Sequence, residues 1–359
     1  MAHALCSSSN VSKQLARKLC TTKFNTCAKY GMCINLAWPN ATRDLMENHT
    51  YGFFILTFAT HEKNKPFLSF IFILMYLIGV FANSITITVV YRYPHLHTPM
   101  YLFLCNLSIV DICYTTFTVP KLVYMLLSGN FTTSFSQCFT QMYFFLHVAV
   151  TEDLLLFIMA YDRYVAICKP LHYHRMLSKK NCITLLVTIW ATGLFNSLFL
   201  TLTASNVPLC YPNTVTQFYC EFKAFAKISC PSAGFHLYSY VEAIIFGLLP
   251  FLCSIISYIK VIIVILRIKS SDGRKKAFST CSSHLIVLTM FYGTWTSTYL
   301  TPPMNDPQVF ETTFTVLCLI VTPMLNPLIY SVRNKDVKRA ILKFLACNVR
   351  GEQSVRVYA

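Results

Sequence analysis

Read along its length, the chain alternates long apolar runs with short polar segments. Seven runs stand out: Phe67–Tyr91, Met100–Val119, Cys138–Tyr161, Cys182–Thr203, Leu237–Ile259, Leu285–Leu300 (extending back towards Lys276) and Thr312–Val332. A helix needs roughly 20 apolar residues to cross about 30 Å of hydrocarbon. The runs have that length and lack the strict alternation of transmembrane strands. The pattern predicts an all-α membrane protein with seven transmembrane helices spanning 67–332. It is preceded by a tail, 46–66, and followed by a segment, 333–359, that begins with a short amphipathic helix.

Composition supports this. Of 359 residues, 55% are hydrophobic and only 12% charged, about half the charge of a soluble domain. The net charge of +16 is unevenly placed. With the first polar segment outside, the loops and tail on the other side carry 17 Lys and Arg, from Arg92 to Arg356. The outer side holds five from Met46 onward: Lys63, Lys65, Lys121, Lys223 and Lys227. Excess basic charge marks the cytoplasmic side, so the predicted topology has an extracellular N-terminus and a cytoplasmic C-terminus. The basic excess is thus read as topology and membrane-lipid contact rather than as a nucleic-acid surface. Residues 1–45 lack the apolar core of a signal peptide, so the first span is expected to act as the insertion signal.

Charges inside a membrane are costly and mark function. Asp111 and Glu152 each lie 11 residues from the inner end of their spans, roughly 16 Å deep at 1.5 Å per residue. Two carboxylates at one depth share a proton or hold a cation. Asn83 and Asn326 lie at a similar depth and add oxygen or amide partners.

Five stretches sit at one set of span ends: PMYLFLCNLSIVD (Pro99–Asp111), MAYDRYVAIC (Met159–Cys168) followed by KPLHY, SY (Ser257–Tyr258), KAFSTCSSHL (Lys276–Leu285) and PMLNPLIY (Pro323–Tyr330). In this order and spacing the chain resembles the olfactory (odorant) receptor family of rhodopsin-like G-protein-coupled receptors, from about Met46 to the C-terminus. The first span departs from the family in reading Ala82-Asn83 where Gly-Asn is usual. Asp153 stands where the family usually has an uncharged residue.

The resemblance implies a plasma-membrane receptor, not an enzyme, for a small volatile odorant. It implies coupling to a stimulatory (olfactory) heterotrimeric G protein that raises cyclic AMP. Asp162, Arg163 and Tyr164 are then the coupling motif, with Tyr258 and Tyr330 as partners that swing inward on activation. The ligand site implied by the motifs comprises Phe145, Leu146, Ala149 and Val150 of the third span, Glu242, Ala243 and Phe246 of the fifth, and Tyr292, Trp295 and Tyr299 of the sixth. Glu242 either contacts ligand, stays neutral or pairs with Lys223 or Lys227. No cofactor is implied beyond a sodium ion, as allosteric modulator, at Asp111 and Glu152; a neutral hydrogen-bonded cluster is the alternative. Four outer cysteines allow three pairings, of which the family pattern implies Cys138–Cys220 and Cys210–Cys230. The sequons at Asn48 and Asn130 are expected glycosylation sites. Asn106-Leu107-Ser108 lies inside the second span and is expected to stay unmodified.

Residues 1–45 do not resemble the family and are read as a disordered upstream extension, with Met46 as the usual start. A same-family chemoreceptor acting outside the nose is the nearest alternative function. A transporter or channel would bring an inverted repeat, which the two halves do not display.

Overall fold

The computed structural model describes residues 52–55, 64–210, 214–215, 217–230, 233–300, 315–333, 336–344 and 346. Among the described residues, five helices are long and apolar enough to cross a membrane: α1 (Lys65–Arg92), α2 (Pro99–Ser128), α3 (Phe135–Cys168), α4 (Lys179–Ser205) and α5 (Gly234–Arg267). Helix α6 (Ser271–Leu300) is as long as α2, but its apolar part is shorter, Cys281–Gly293. Helix α7 combines a π turn, Leu317–Val321, with an α-helical stretch, Thr322–Arg333. Residues 336–344 form a last helix, α8.

Local sequence explains the boundaries. Pro66 and Pro99 open α1 and α2, where a missing N–H costs nothing. Gly129 closes α2 at φ 68°, a left-handed conformation that favours glycine. Ser134 and Gln137 form a reciprocal capping box at the start of α3, and the Ser178 side chain caps α4. In α8, Val337 and Ala340 are buried while Asp336, Lys338, Arg339 and Lys343 are exposed, an amphipathic face of helical period.

Helix α3 is the axis of the fold. In its most apolar window 61% of residues are buried, against 22% in α1 and 28% in α4 and α5. The outward faces of α1, α4 and α5 carry Phe67, Phe70, Phe81, Phe195, Ile244 and Leu266 in the open, which suits hydrocarbon rather than water.

One element corrects the all-α expectation. Strand β1 (Gly52–Ile55) lies between β2 (Thr132–Ser134) and β3 (Thr214–Val215). It is antiparallel to β2, with Phe53 opposite Thr133, and parallel to β3, with Phe54 opposite Thr214. Part of the segment read as a tail is therefore paired. Phe53 is buried, with its ring 4.7 Å from Phe135 and 6.1 Å from Phe225. Four-residue strands leave little trace in a hydrophobicity pattern, and their pairing is non-local. The expected extension, 1–45, and the final tail from 347 lie outside the described residues.

Candidate functional site

The end of the bundle that carries β1–β3 also carries both disulfides, Cys138–Cys220 and Cys210–Cys230, with Cα atoms 5.3 and 4.6 Å apart. The first pins the loop before the short helix Phe222–Ile228 onto the start of α3, and the Cys220 N–H donates to Gln141 Oε1 at 3.2 Å. The second closes the loop's base, where the Cys210 and Cys230 N–H groups donate to the Ile228 and Pro208 carbonyls. Phe218 and Tyr219 of the loop are buried.

Under this loop lies a cavity of about 670 Å³. Phe145, Leu146, Ala149 and Val150 line it from α3, Glu242, Ala243 and Phe246 from α5, and Phe291 and Tyr292 from α6. The loop supplies Tyr219, Glu221 and Phe222 as a roof, and the Tyr219 ring sits 4.5 Å from that of Phe145. The structure thus gathers every sequence-selected pocket residue whose side chain is described. Trp295 and Tyr299 lie on α6, but their side chains are outside the described residues.

The sequence singles out Asp153 and Glu242 but not the partners they meet here. Asp153 lines it, and its Oδ1 accepts a 2.7 Å hydrogen bond from the Tyr292 hydroxyl, joining α3 to α6. The spacing held the signal: Phe145, Ala149 and Asp153 stand at i, i+4 and i+8 on one face. Glu242 accepts from Asn196 Nδ2 of α4 at 3.3 Å, and Asn196 Oδ1 accepts from the Tyr238 hydroxyl at 3.3 Å. Lys223 and Lys227 line the same cavity.

Below the cavity is a buried polar layer. Asn326 Nδ2 donates to both Asp111 oxygens, at 3.0 and 3.2 Å. Asp111 and Glu152 are near enough to repel electrostatically, and Glu152 is hydrogen-bonded to Tyr114. Asn83 Nδ2 donates to the Gly79 and Pro323 carbonyls, tying α1 to α7. The Oδ1 atoms of Asn83 and Asn326 are buried without a hydrogen-bond partner among the described residues.

At the opposite end of α3, Asp162 and Arg163 are both buried. Asp162 Oδ2 accepts from Arg163 Nε at 2.9 Å and from a second guanidinium nitrogen. Asp162 Oδ1 accepts from the Tyr173 hydroxyl at 2.9 Å, a partner the sequence did not single out. Burial pushes the Tyr173 hydroxyl above the usual tyrosine range, and the Asp162 charge adds to it. Tyr258 is hydrogen-bonded to His284 Nδ1 at 2.7 Å, linking α5 to α6. The Tyr330 hydroxyl is buried and unpaired among the described residues. Tyr164 packs beneath the ammonium groups of Lys169 and Lys260, 5.8 and 5.6 Å from its ring centre.

Of the two sequons, Asn130 is exposed and its Oδ1 accepts from the Thr132 N–H and hydroxyl. Asn48 lies outside the described residues.

A family model described as "Olfactory receptor" matches residues 72–348. Olfactory receptor 1468 of Rattus norvegicus is 41% identical over 304 residues, covering 83% of this chain and 96% of that one. Olfactory receptor 1E16 of Mus musculus is 39% identical over 290 residues, covering 80% and 92%. Olfactory receptor 1L6 of Homo sapiens is 40% identical over 295 residues, covering 82% and 85%. The matched region takes in the cavity, the buried polar layer and the Asp162–Arg163 end together, and the chain belongs to the olfactory receptor family.

Proposed function

We propose that this chain is an odorant receptor that binds a small volatile molecule in the cavity between α3, α5 and α6 and activates a stimulatory, olfactory-class heterotrimeric G protein, raising cyclic AMP. Membership of the family makes it a multi-pass membrane receptor of the G-protein-coupled class and not an enzyme. In this reading α1–α7 all cross the plasma membrane. At 1.5 Å per residue the 30 residues of α6 reach about 45 Å, enough to span despite a shorter apolar centre. The disulfide end faces outward, in keeping with the oxidising secretory route, and the basic loops and α8 face the cytosol.

One pairing carries the reading: a mostly apolar, roofed cavity at one end of α3, and the Asp162–Arg163–Tyr173 lock at the other. The cavity's aromatic and aliphatic walls suit a small hydrophobic ligand. Ligand acts by preferring the arrangement in which the inner end of α6 moves out and Arg163 is released to meet the G protein. The Tyr258–His284 bond crosses the α5–α6 seam that this motion opens.

The buried polar layer suits a sodium ion. Its donors are all oxygens, as a hard cation requires, and two of them, Asn83 Oδ1 and Asn326 Oδ1, are buried and unpaired among the described residues. Asp111, Glu152 and these amides would hold the ion, whose positive charge would offset the paired carboxylates and favour the resting arrangement.

The test is a cyclic-AMP reporter in cells displaying the chain at the surface, challenged with a diverse panel of volatiles. At least one compound is expected to raise cyclic AMP in a saturable way, and Arg163→Ala should abolish the response at equal surface amount. Responses that survive Arg163→Ala, or surface display with no response to any compound, would overturn the reading.

A further inference from the structure

Asp153 is the least expected group in the cavity wall. It is only 4% exposed, Tyr292 satisfies Oδ1, and Oδ2 has no hydrogen-bond partner among the described residues. A buried carboxylate oxygen without a donor is expensive, and native structures resolve such atoms with a partner or a ligand. Glu242 faces the same cavity from α5. The other titratable groups on the wall are Glu221, Lys223, Lys227 and His236, with the tyrosines Tyr114, Tyr219, Tyr240 and Tyr292. The lysines belong to the loop helix Phe222–Ile228, part of the roof. Asp153 is 15 residues along α3 from Cys138, the roof's anchor, which is roughly 22 Å by helical rise.

We infer that the cavity's ligand is a cationic aliphatic amine, anchored by Asp153 Oδ2 and drawn in by the Asp153–Glu242 pair. The inference deepens the receptor reading of this cavity and rests on it for the ligand's location. An ammonium carries three N–H donors and a charge. One donor completes Asp153 Oδ2 in a charge-assisted bond. Tyr292 brings its aromatic ring beside Asp153 and so beside the cation, and Leu146, Val150 and Phe246 cover the alkyl chain. An alcohol of the same shape brings one donor and no charge. Occupation also has a consequence for α6. The ammonium at Oδ2 draws carboxylate charge away from Oδ1, weakens the Tyr292 hydrogen bond there and so loosens the link that ties α3 to α6. This gives the ligand the differential contact between two states that activation requires.

The test uses the purified full chain in lipid nanodiscs, with n-hexylamine and n-hexanol as probes and thermal unfolding followed by tryptophan fluorescence. Hexylamine should raise the unfolding midpoint at concentrations where hexanol does not. Asp153→Asn should weaken the apparent affinity for hexylamine at least tenfold. Tyr292→Phe keeps the carboxylate and leaves more of its charge for the amine at Oδ2, so it should hold or tighten amine binding; it decides the matter if Asp153→Asn does not fold. Equal shifts with amine and alcohol, unchanged amine affinity in Asp153→Asn, or loss of amine binding in a folded Tyr292→Phe would overturn the inference. Binding here needs no G protein. Amine binding without any cyclic-AMP response would therefore sink the receptor reading alone, and cyclic-AMP responses without amine binding would sink this inference alone.

Discussion

Gly193 of α4 lies so close to α3 that a Cβ placed on it would stand 2.6 Å from Thr151 Oγ1. The same atom would meet the His147 carbonyl oxygen at 2.9 Å, and that oxygen already accepts from Thr151 at 2.7 Å. Backbone has to move to admit even a methyl group. Gly193→Ala should destabilise by about 1–3 kcal/mol, the usual cost of overpacking, despite alanine's better helix propensity. Thr151→Ala added to it should recover only part of the loss, because the carbonyl contact remains. Unfolding midpoints of the purified receptor measure both. A Gly193→Ala midpoint at or above the parent's would refute the close packing.

The two disulfides should differ in worth. Cys138–Cys220 closes a separation of 82 residues and Cys210–Cys230 one of 20. Loop-closure entropy scales with the logarithm of length, which predicts losses of about 4.5 and 3 kcal/mol. Cys138→Ser/Cys220→Ser should also loosen the roof that places Tyr219 against Phe145, and so weaken ligand potency more than its stability loss explains. Surface display and dose–response curves of the two double variants separate these effects. Equal ligand potency in both would detach the roof from binding.

The helices were legible because hydrophobic burial and lipid exposure act on every residue of a run. The apolar stretch Phe67–Tyr91 became Lys65–Arg92, and Cys182–Thr203 became Lys179–Ser205. Helix α2 runs on to Ser128 past Lys121, whose charge ended the apolar run; its ammonium reaches Thr133 at 2.7 Å and so stays at the polar end. What escaped detection were single polar pairs made across the fold. Asn196 meets Glu242, Tyr292 meets Asp153 and His284 meets Tyr258 at separations of 46, 139 and 26 residues. No local pattern encodes such a partner. The pocket residues follow from the family's motifs, whereas Asp153 departs from them.

Tyr173 bears on resting activity. It supplies one of the hydrogen bonds that hold Asp162, whose other oxygen holds Arg163. Tyr173→Phe removes that bond alone, a net change of about 0.5–1.5 kcal/mol. If Asp162 restrains Arg163 in the resting receptor, ligand-free cyclic AMP should rise about 2- to 10-fold per receptor at the surface. Asp162→Asn should raise it further. Unchanged basal signal in both variants, at equal display, would show that the lock does not set the resting state.

Trp190 of α4 donates its indole N–H to Asn106 Oδ1 of α2 at 3.0 Å, while Asn106 Nδ2 returns to its own helix at the Leu102 carbonyl. The bond joins two helices on a half-buried face where lipid offers no replacement donor. Bonds of this kind between membrane helices contribute about 0.6–1.7 kcal/mol. Trp190→Phe should therefore lower the unfolding midpoint by leaving the Asn106 oxygen unpaired, and Asn106→Leu should lower it by orphaning the indole. Combining them removes both orphans, so the double variant should be more stable than the sum of the single losses predicts. Strict additivity would mean that the two groups do not interact. The same Asn106→Leu protein checks a second expectation: Asn106 heads a sequon inside α2, and its loss should leave the mass released by deglycosylation unchanged.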